Sequence, residues 1–99
     1  MLYDKKLEQW AGHPVKNHVR VLLCTLPDVL WPENPWKRVG MQDLMEVDSV
    51  KSSYKKYIVS LHPDRVVSSG DNNKIYLANR IFSIMTDAFN VFKKENGLK

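Results

Sequence analysis

The side chains best suited to chemistry lie at one short stretch, His62-Pro63-Asp64-Arg65. A carboxylate such as Asp64 can form a charge-assisted hydrogen bond with a basic group of a binding partner. Proline disfavours the helical conformation for the residue before it and fixes its own φ. The sequence therefore predicts a stiff surface corner that ends one helix at about His62 and opens a polar loop.

Asp64 has both a structural and a functional interpretation. His62 is ordinary at a helix C-terminus, where it can donate to free carbonyl groups. A carboxylate just past that end meets partial charge of the same sign, which costs roughly a few tenths of a kcal/mol or more. Asp64 either caps the next turn or pairs with Arg65 or Arg80, or it serves a partner.

The segment before the corner, from about Ser49 to Leu61, has the periodicity of an amphipathic helix. Its apolar positions share one face, which we expect to be buried: Val50, Tyr54, Tyr57, Ile58 and Leu61. The other side carries basic residues and one apolar residue, which we expect to be exposed: Lys51, Lys55, Lys56 and Val59. On composition alone, a charged outer face is usually only solvated. Here the three lysines and Arg65, against Asp64, give a local excess of +3 (four minus one), most of the net charge of +4.

A second long helix is predicted from about Asn73 to Glu95, started by Asp71 or a neighbouring Asn and stopped near Gly97. Its apolar residues recur three and four apart: Ile75, Ala78, Phe82, Met85, Phe89 and Phe92, with Ile81 and Ala88 flanking. The pattern is too short for a coiled coil, so we expect an antiparallel hairpin with the helix before the corner.

The first half of the chain predicts two helices and a packed loop. Apolar residues at spacings of three and four indicate a core helix from about Asn17 to Trp31, in which Pro27 should cause a kink or a restarted last turn. A short helix precedes it, with Asp4 as N-cap, Leu7 and Trp10 docked on the body of the domain, and Gly12 as its stop. With every predicted element helical, the expected fold class is all-α. The stretch from about Pro32 to Val47 is proline-rich but carries apolar residues, so it should be a packed loop.

Length and composition indicate one domain over residues 1–99, since 99 residues with 43% hydrophobic content support a single core. No apolar run approaches the roughly 18 residues of a membrane span, and no export leader is evident. The single Cys24 cannot form an internal disulfide and is expected to be a small buried hydrophobe, which fits a reducing compartment such as the cytosol.

Two chemical functions, metal binding and enzymatic catalysis, are not supported by the residue spacing, and a third, nucleic-acid binding, stays open. His13, His18, Cys24 and His62 show no metal-ligand spacing, so we expect neither a metal nor a cofactor. Nucleophile signatures and glycine-rich phosphate loops are absent, so an enzyme is not expected. Nucleic-acid binding by the basic helix stays open as an alternative, although the aromatic residues that would stack on bases are assigned to the core.

The second half of the chain resembles a J domain, the co-chaperone module of the DnaJ family. The resemblance rests on Tyr54-Lys55-Lys56-Tyr57, on the corner His62-Pro63-Asp64 and on the basic Arg65 after it. It continues in the last helix, which matches the family pattern at Ala78, Phe82, Met85, Ala88 and Phe89. The resemblance implies a helical hairpin with the corner at its tip.

The first half is similar to the auxilin group of J domains, which includes the cyclin-G-associated kinases. The matching segments are Arg20-Val21-Leu22-Leu23-Cys24-Thr25-Leu26, Val29-Leu30-Trp31, Trp36, Val39-Gly40-Met41 and Asp43-Leu44, while Trp10-Ala11-Gly12 fits the extra helix of that group. The similarity extends from about Leu7 to Phe92. The chain departs from the group at Pro27, at Arg65 in place of lysine, and in the polar loop 68–73.

The resemblance implies binding to an ATP-bound heat shock protein 70 and stimulation of its ATPase, with no catalysis by the chain itself. The implied chaperone-binding residues are His62, Pro63, Asp64, Lys51, Lys55, Lys56, Val59 and Arg65. It further implies a monomeric, cytoplasmic domain at the C-terminus of a larger protein that acts in clathrin uncoating and binds clathrin or adaptors through other segments. A J domain with another client is the alternative. The stretch Leu44-Met45-Glu46-Val47-Asp48 has the form of a clathrin box, but we expect Leu44 and Val47 to be packed.

Overall fold

The computed structural model describes residues 2–12, 18–31, 34 and 36–97, and within these it is helical with no strand. Its helices are α1 (Leu2–Ala11), α2 (Val19–Thr25), α3 (Val47–Leu61), α4 (Pro63–Val67) and α5 (Asn72–Glu95). Two 3₁₀ turns, Leu26–Asp28 and Met41–Leu44, complete the regular structure of the described residues. The all-α prediction and the bounds of both long helices are confirmed to within two residues.

Proline shortens the core helix, as its position predicts. The α-helical part, α2, ends at Thr25, and Leu26–Asp28 continues as a 3₁₀ turn with Pro27 as its middle residue. Pro27 has no amide hydrogen, so the regular helical ladder cannot run through it. Of the predicted kink or restarted last turn, the structure shows a restarted 3₁₀ turn, whereas the predicted extension of the helix to Trp31 is wrong. The predicted start at Asn17 lies outside the described residues.

Helix α1 is docked on the body, as predicted. Leu7 and Trp10 are 1% and 7% exposed, and the Trp10 indole Nε1 donates to Thr25 Oγ1 over 3.0 Å. Gly12 ends the helix with φ at 91° and donates its amide to the Glu8 carbonyl. The predicted N-cap at Asp4 is wrong, because the helix already begins at Leu2.

The segment between α2 and α3 is a packed loop, as expected, although it ends one residue early because Val47 already belongs to α3. Trp36 and Val39 pack against the core, and Leu44 is fully buried. Pro32, Glu33 and Pro35 lie outside the described residues. Because Leu44 is buried and Val47 is helical, the clathrin-box pattern is not an extended free motif, which confirms that expectation.

Arg20 holds this loop against the two helices beneath it. Its Nε donates to the Leu44 carbonyl over 2.6 Å, and its Nη2 donates to the Met45 carbonyl over 3.4 Å. The guanidinium also lies 5.2 Å from the ring centre of Phe92 on α5, within the range of a cation–π contact. One side chain of α2 therefore joins the loop to α5.

The core lies where α1, α2, α3 and α5 meet. Its largest fully buried side chains are Tyr57, Phe92, Leu7, Leu22, Leu23, Leu26, Leu44, Leu61, Ile81, Met85, Val19 and Val50. Some predictions of burial need correction, because six side chains expected in the core are only half-buried: Tyr54, Ile58, Ile75, Phe82, Phe89 and Cys24. Ile81 is buried rather than flanking, and the Cys24 Sγ lies 3.4 Å from the Val21 carbonyl.

Helices α3 and α5 form the expected hairpin. The Tyr54 ring stacks on Phe89 with 4.0 Å between ring centres, and the Tyr54 hydroxyl lies 3.5 Å from Thr86 Oγ1. Asp71 caps α5 by accepting from the amides of Asn73 and Lys74 through Oδ1, which confirms it as the cap. No helix in the described ranges has the length and apolar character needed to cross a membrane.

The hydroxyl of Tyr57 is a buried polar group in this core. The residue is 0% exposed, and its hydroxyl has no hydrogen-bond partner among the described residues. Burial above all, and to a lesser degree the nearby Tyr54, raises the pKa of Tyr57 above its ordinary value. The fold thus holds this side chain in its neutral form.

Replacing Tyr57 by phenylalanine is expected to stabilise the domain by about 1 kcal/mol, because the change removes a buried hydroxyl without a partner. The raised pKa also predicts a dependence of stability on pH. Above about pH 10, Tyr57 ionises in the unfolded state but not in the folded state, so the native protein loses stability as the pH rises. The Tyr57→Phe variant lacks this part of the loss. Urea unfolding at neutral and alkaline pH measures both. Tyr54→Phe is the control, with no stabilisation expected; a clearly destabilised Tyr57→Phe would mean that the hydroxyl has a partner.

Candidate functional site

The corner between α3 and α4 is built by His62, which ends one helix and begins the next. Its amide donates to the Ile58 carbonyl over 3.2 Å, which closes α3. Its backbone then leaves the helical region, with φ at −58° and ψ at 140°. Pro63 follows as the first residue of α4, a position where a missing amide hydrogen costs nothing. The predicted end of α3 is confirmed.

The His62 imidazole has a different role from the one the sequence suggests. Its Nδ1 accepts a hydrogen bond from the Asp64 amide over 3.1 Å, so His62 is the N-cap of α4 and does not donate to the end of α3 through this nitrogen. Its ring packs on Phe82 of α5 with 4.9 Å between ring centres. Because Nδ1 accepts, the neutral ring carries its proton on Nε2.

The segment after the corner is a helical turn, so the predicted polar loop begins later than expected. Pro63 and Val66 are buried, and α4 packs on α5. The His62 carbonyl accepts from the amides of Arg65 and Val66 at 2.9 and 3.3 Å, and the Ser68 hydroxyl donates to the Arg65 carbonyl over 2.7 Å. These contacts on both sides agree with the predicted stiffness of the corner.

Asp64 lies on the outside of this turn, with its side chain 91% exposed. One of its carboxylate oxygens lies 3.7 Å from His62 Nδ1. Asp64 is in the first turn of α4, so it faces the positive end of the local backbone dipoles. The penalty predicted for a carboxylate just past α3 is therefore opposed by the start of α4. The residue that caps the next turn is His62, not Asp64. The carboxylate itself remains open to solvent.

The outer face of α3 leads into this corner and is basic. Lys51, Lys55 and Lys56 are exposed, and Val59 is 56% exposed among them. Arg65 is exposed on α4. The expected exposure of these side chains is confirmed.

A shallow groove on the same side of α3 was not expected from the sequence. Its volume is about 480 Å³, and it is lined by Asp48, Lys51, Ser52, Tyr54, Lys55, Ile58 and Phe89. Periodicity assigns Phe89 to the buried stripe of α5. In the structure Phe89 is half-buried, and it lines this groove together with Lys51 and Lys55.

The chain is similar in sequence to several known proteins. No protein-family model matches the chain. Auxilin-related protein 1 of Arabidopsis thaliana is 38% identical over 93 residues, which is 93% of this chain and 10% of that protein. A J domain-containing protein required for chloroplast accumulation response, also from Arabidopsis thaliana, is 33% identical over 90 residues, 90% of this chain and 14% of that protein. An auxilin-like clathrin uncoating factor of Saccharomyces cerevisiae is 35% identical over 100 residues, 98% of this chain and 15% of that protein.

The helical hairpin with its His-Pro-Asp corner, together with these relatives, makes the chain a J domain, a co-chaperone module. Within that class it belongs with the auxilin-like J domains. The docked helix α1 and the packed loop before α3 are consistent with this assignment. The chain spans between about a tenth and a sixth of the length of these relatives.

Proposed function

We propose that this domain binds an ATP-bound chaperone of the heat shock protein 70 family and stimulates its ATP hydrolysis. The observation that supports this most is the corner, where an exposed carboxylate is attached to a turn fixed by the His62 cap and by the buried Pro63. The domain regulates the reaction of its partner, and the chemistry takes place on the chaperone.

The rigid corner suits this role on energetic grounds. Binding accelerates hydrolysis only if it favours the hydrolysis-competent state of the chaperone, so the contacts of Asp64 must differ between chaperone states. A carboxylate on a preformed turn loses little conformational entropy when it binds. His62 and Pro63 position Asp64, and Arg65 adds positive charge beside it.

The basic face of α3 supplies long-range attraction to an acidic patch of the chaperone. Lys51, Lys55 and Lys56 are exposed, so they act mainly on the association rate. Val59 offers a small apolar contact among them. The face and the corner together form one continuous docking surface along α3 and α4.

The direct test is single-turnover ATP hydrolysis by a purified heat shock protein 70, with and without the domain. We expect a hydrolysis rate that rises with domain concentration and saturates. Equal rates with and without the domain, for a preparation shown to be folded, would overturn the proposal.

Charge reversal of Lys55 and Lys56 to glutamate is expected to slow association with the chaperone by about tenfold or more at low salt, because steering by exposed charges acts mainly on the encounter. The fold should persist, since both side chains are exposed. Stopped-flow association at several salt concentrations measures the effect. The effect should shrink as salt is raised, because the Debye length is only about 10 Å at 0.1 M salt and decreases further at higher salt.

The matched control reverses Lys5 and Lys6, which are exposed on α1 and carry the same charge. This control should change the association rate less than the first variant does. A rate that responds equally to both pairs would assign the effect to net charge alone, and an association rate indifferent to salt and to Lys55/Lys56 reversal would remove the steering role.

We further propose that the parent protein delivers the chaperone to clathrin coats in the cytoplasm. The auxilin-like clathrin uncoating factor among the relatives supports this. Clathrin or adaptor binding would come from other segments of the parent, because the clathrin-box pattern here is packed. The relative named for a chloroplast response favours the alternative of another client.

Clathrin release separates these two clients. The full-length parent with a heat shock protein 70 and ATP should release clathrin from purified coats, whereas this domain alone should stimulate hydrolysis without efficient release. If the parent stimulates hydrolysis but releases no clathrin, the client is a different one.

A further inference from the structure

A second groove lies on another side of α5, where this helix meets α1 and α2. Its volume is about 230 Å³, and it is lined by Ala11, His18, Leu22, Ile84, Asp87, Ala88, Val91 and Glu95. The α5 residues of this lining recur three and four apart, so they form one stripe along the helix.

The floor of the groove is apolar and partly open to solvent. Ile84 and Ala88 are half-buried, while Val91 is 54% exposed. Leu22 of α2 is 1% exposed beneath them. An exposed valine that continues a half-buried apolar stripe marks a surface that another apolar side chain could cover.

The rim of the groove is acidic in a chain whose net charge is +4. Asp87 and Glu95 line it, no lysine or arginine of the described ranges does, and His18 is the other titratable lining residue. The His18 imidazole lies 3.4 Å from a Glu95 carboxylate oxygen, and its Nδ1 accepts from the Arg20 amide. The eight-residue separation of Asp87 and Glu95 places them about 12 Å apart along α5.

We propose that this groove binds a short amphipathic peptide helix of a partner protein. The apolar residues of the peptide would cover Ile84, Ala88 and Val91. Two basic residues of the peptide, about seven or eight positions apart, would pair with Asp87 and Glu95. The acidic rim selects for positive charge in the peptide, and the apolar floor supplies the contact area.

This groove is separate from the proposed chaperone surface. Val91 and Phe89 are two residues apart on α5, so at ~100° per residue they point to nearly opposite sides of the helix. Phe89 stacks on Tyr54 of α3, whereas Val91 faces the groove beside α2. A peptide and the chaperone can therefore occupy the domain together.

The test uses a fluorescent alanine-based peptide helix with two leucines between two lysines about seven residues apart, and the same peptide with glutamates in place of the lysines. Fluorescence anisotropy at low salt measures binding. The lysine peptide should bind at least about tenfold more tightly than the glutamate peptide, and salt should reduce the difference. Equal binding of the two peptides would overturn the proposal.

Variants of the domain locate the binding. Asp87→Lys should weaken the lysine peptide about tenfold, and Val91→Ser should weaken both peptides. Asn90→Lys is the matched control, because Asn90 is exposed on α5 without lining the groove, and it should have a much smaller effect. An Asp87→Lys variant that binds like the control contradicts the assignment.

Two further measurements separate the peptide groove from the chaperone surface and from a surface for self-association. Asp64→Asn should leave peptide binding unchanged, so a failure of the chaperone proposal and a failure of this one are separable. Sedimentation of the domain alone should show a monomer. A concentration-dependent dimer that Asp87→Lys abolishes would assign the groove to a second copy of the chain and overturn the peptide proposal.

Discussion

Replacing Asp64 by asparagine is expected to abolish most stimulation of the chaperone and to leave the domain folded. The Asp64 side chain is 91% exposed, and an exposed substitution of this kind changes the free energy of unfolding by about 0.5 kcal/mol or less. Its position in the first turn of α4 gives the charge a small favourable contribution, so any change should be a slight loss. Loss of a charge-assisted hydrogen bond to the chaperone would cost about 1.5–3 kcal/mol, which is tenfold or more in productive complex.

Single-turnover ATP hydrolysis and a thermal melt of each variant together measure this result. Asp28→Asn is the matched control, because Asp28 is exposed in the turn after α2, and it should stimulate like the native domain. Full stimulation by Asp64→Asn would contradict the docking role of the carboxylate. Unfolding of Asp64→Asn would instead make Asp64 a structural residue.

His62 cannot separate function from stability in the same way. Its Nδ1 caps α4 and its ring packs on Phe82, so a His62→Gln variant weakens both contacts. Loss of a capping side chain alone costs about 1 kcal/mol. A melt of this variant should therefore show destabilisation that Asp64→Asn lacks, and its activity has to be read against that loss.

Removal of residues 2–12 is expected to lower the melting temperature by roughly 10 °C or more. Burying Leu7 and Trp10 is worth about 1.5–3 kcal/mol for each as an upper estimate, and the bond from the Trp10 indole to Thr25 is also lost. In a domain of this size, about 1 kcal/mol shifts the melting temperature by about 4–8 °C. The corner should keep its conformation, because its contacts are with α3 and α5.

Calorimetry of the truncated domain measures this shift, and two point variants locate its cause. Leu7→Ala should reproduce a large part of the loss, at about 2–5 kcal/mol, while Lys6→Ala on the exposed side of α1 should have little effect. An unchanged melting temperature after truncation would show that α1 contributes nothing to stability.

Periodicity in the sequence predicts the long helices because each has one stripe that must be buried. Val50, Tyr57 and Leu61 lie at the predicted spacing and are buried. The α-helix α2 ends two residues before Pro27, which has no amide hydrogen to continue the helical ladder. Docking of α1 follows from Leu7 and Trp10, which would be costly to expose. The predicted start of α1 is wrong because the polar Asp4 suggests a cap, whereas it lies inside a helix that begins earlier.

Helix α4 is absent from the sequence prediction although its signal is present in the sequence. Proline at a first helical position, followed by an acidic residue in the first turn, is typical of a helix start. The preceding histidine hides this signal, because histidine is not a common capping residue and suits the end of α3 equally well. The favourable contribution of α4 to the charge of Asp64 is visible only once α4 is known to exist. The apolar floor at Phe89 and the acidic groove around Val91 depend on distances between helices, which periodicity does not supply.

The contact of His62 with Phe82 has a consequence for how this domain tolerates change in length. The corner is attached to α5 through the His62 ring and through the packing of α4 on α5, so its position depends little on the exposed residues 69–71 that connect α4 to α5. Closing a flexible connection a few residues longer costs only a fraction of a kcal/mol. Insertions in that turn are therefore compatible with an unmoved corner, whereas a single substitution at Phe82 would alter its support.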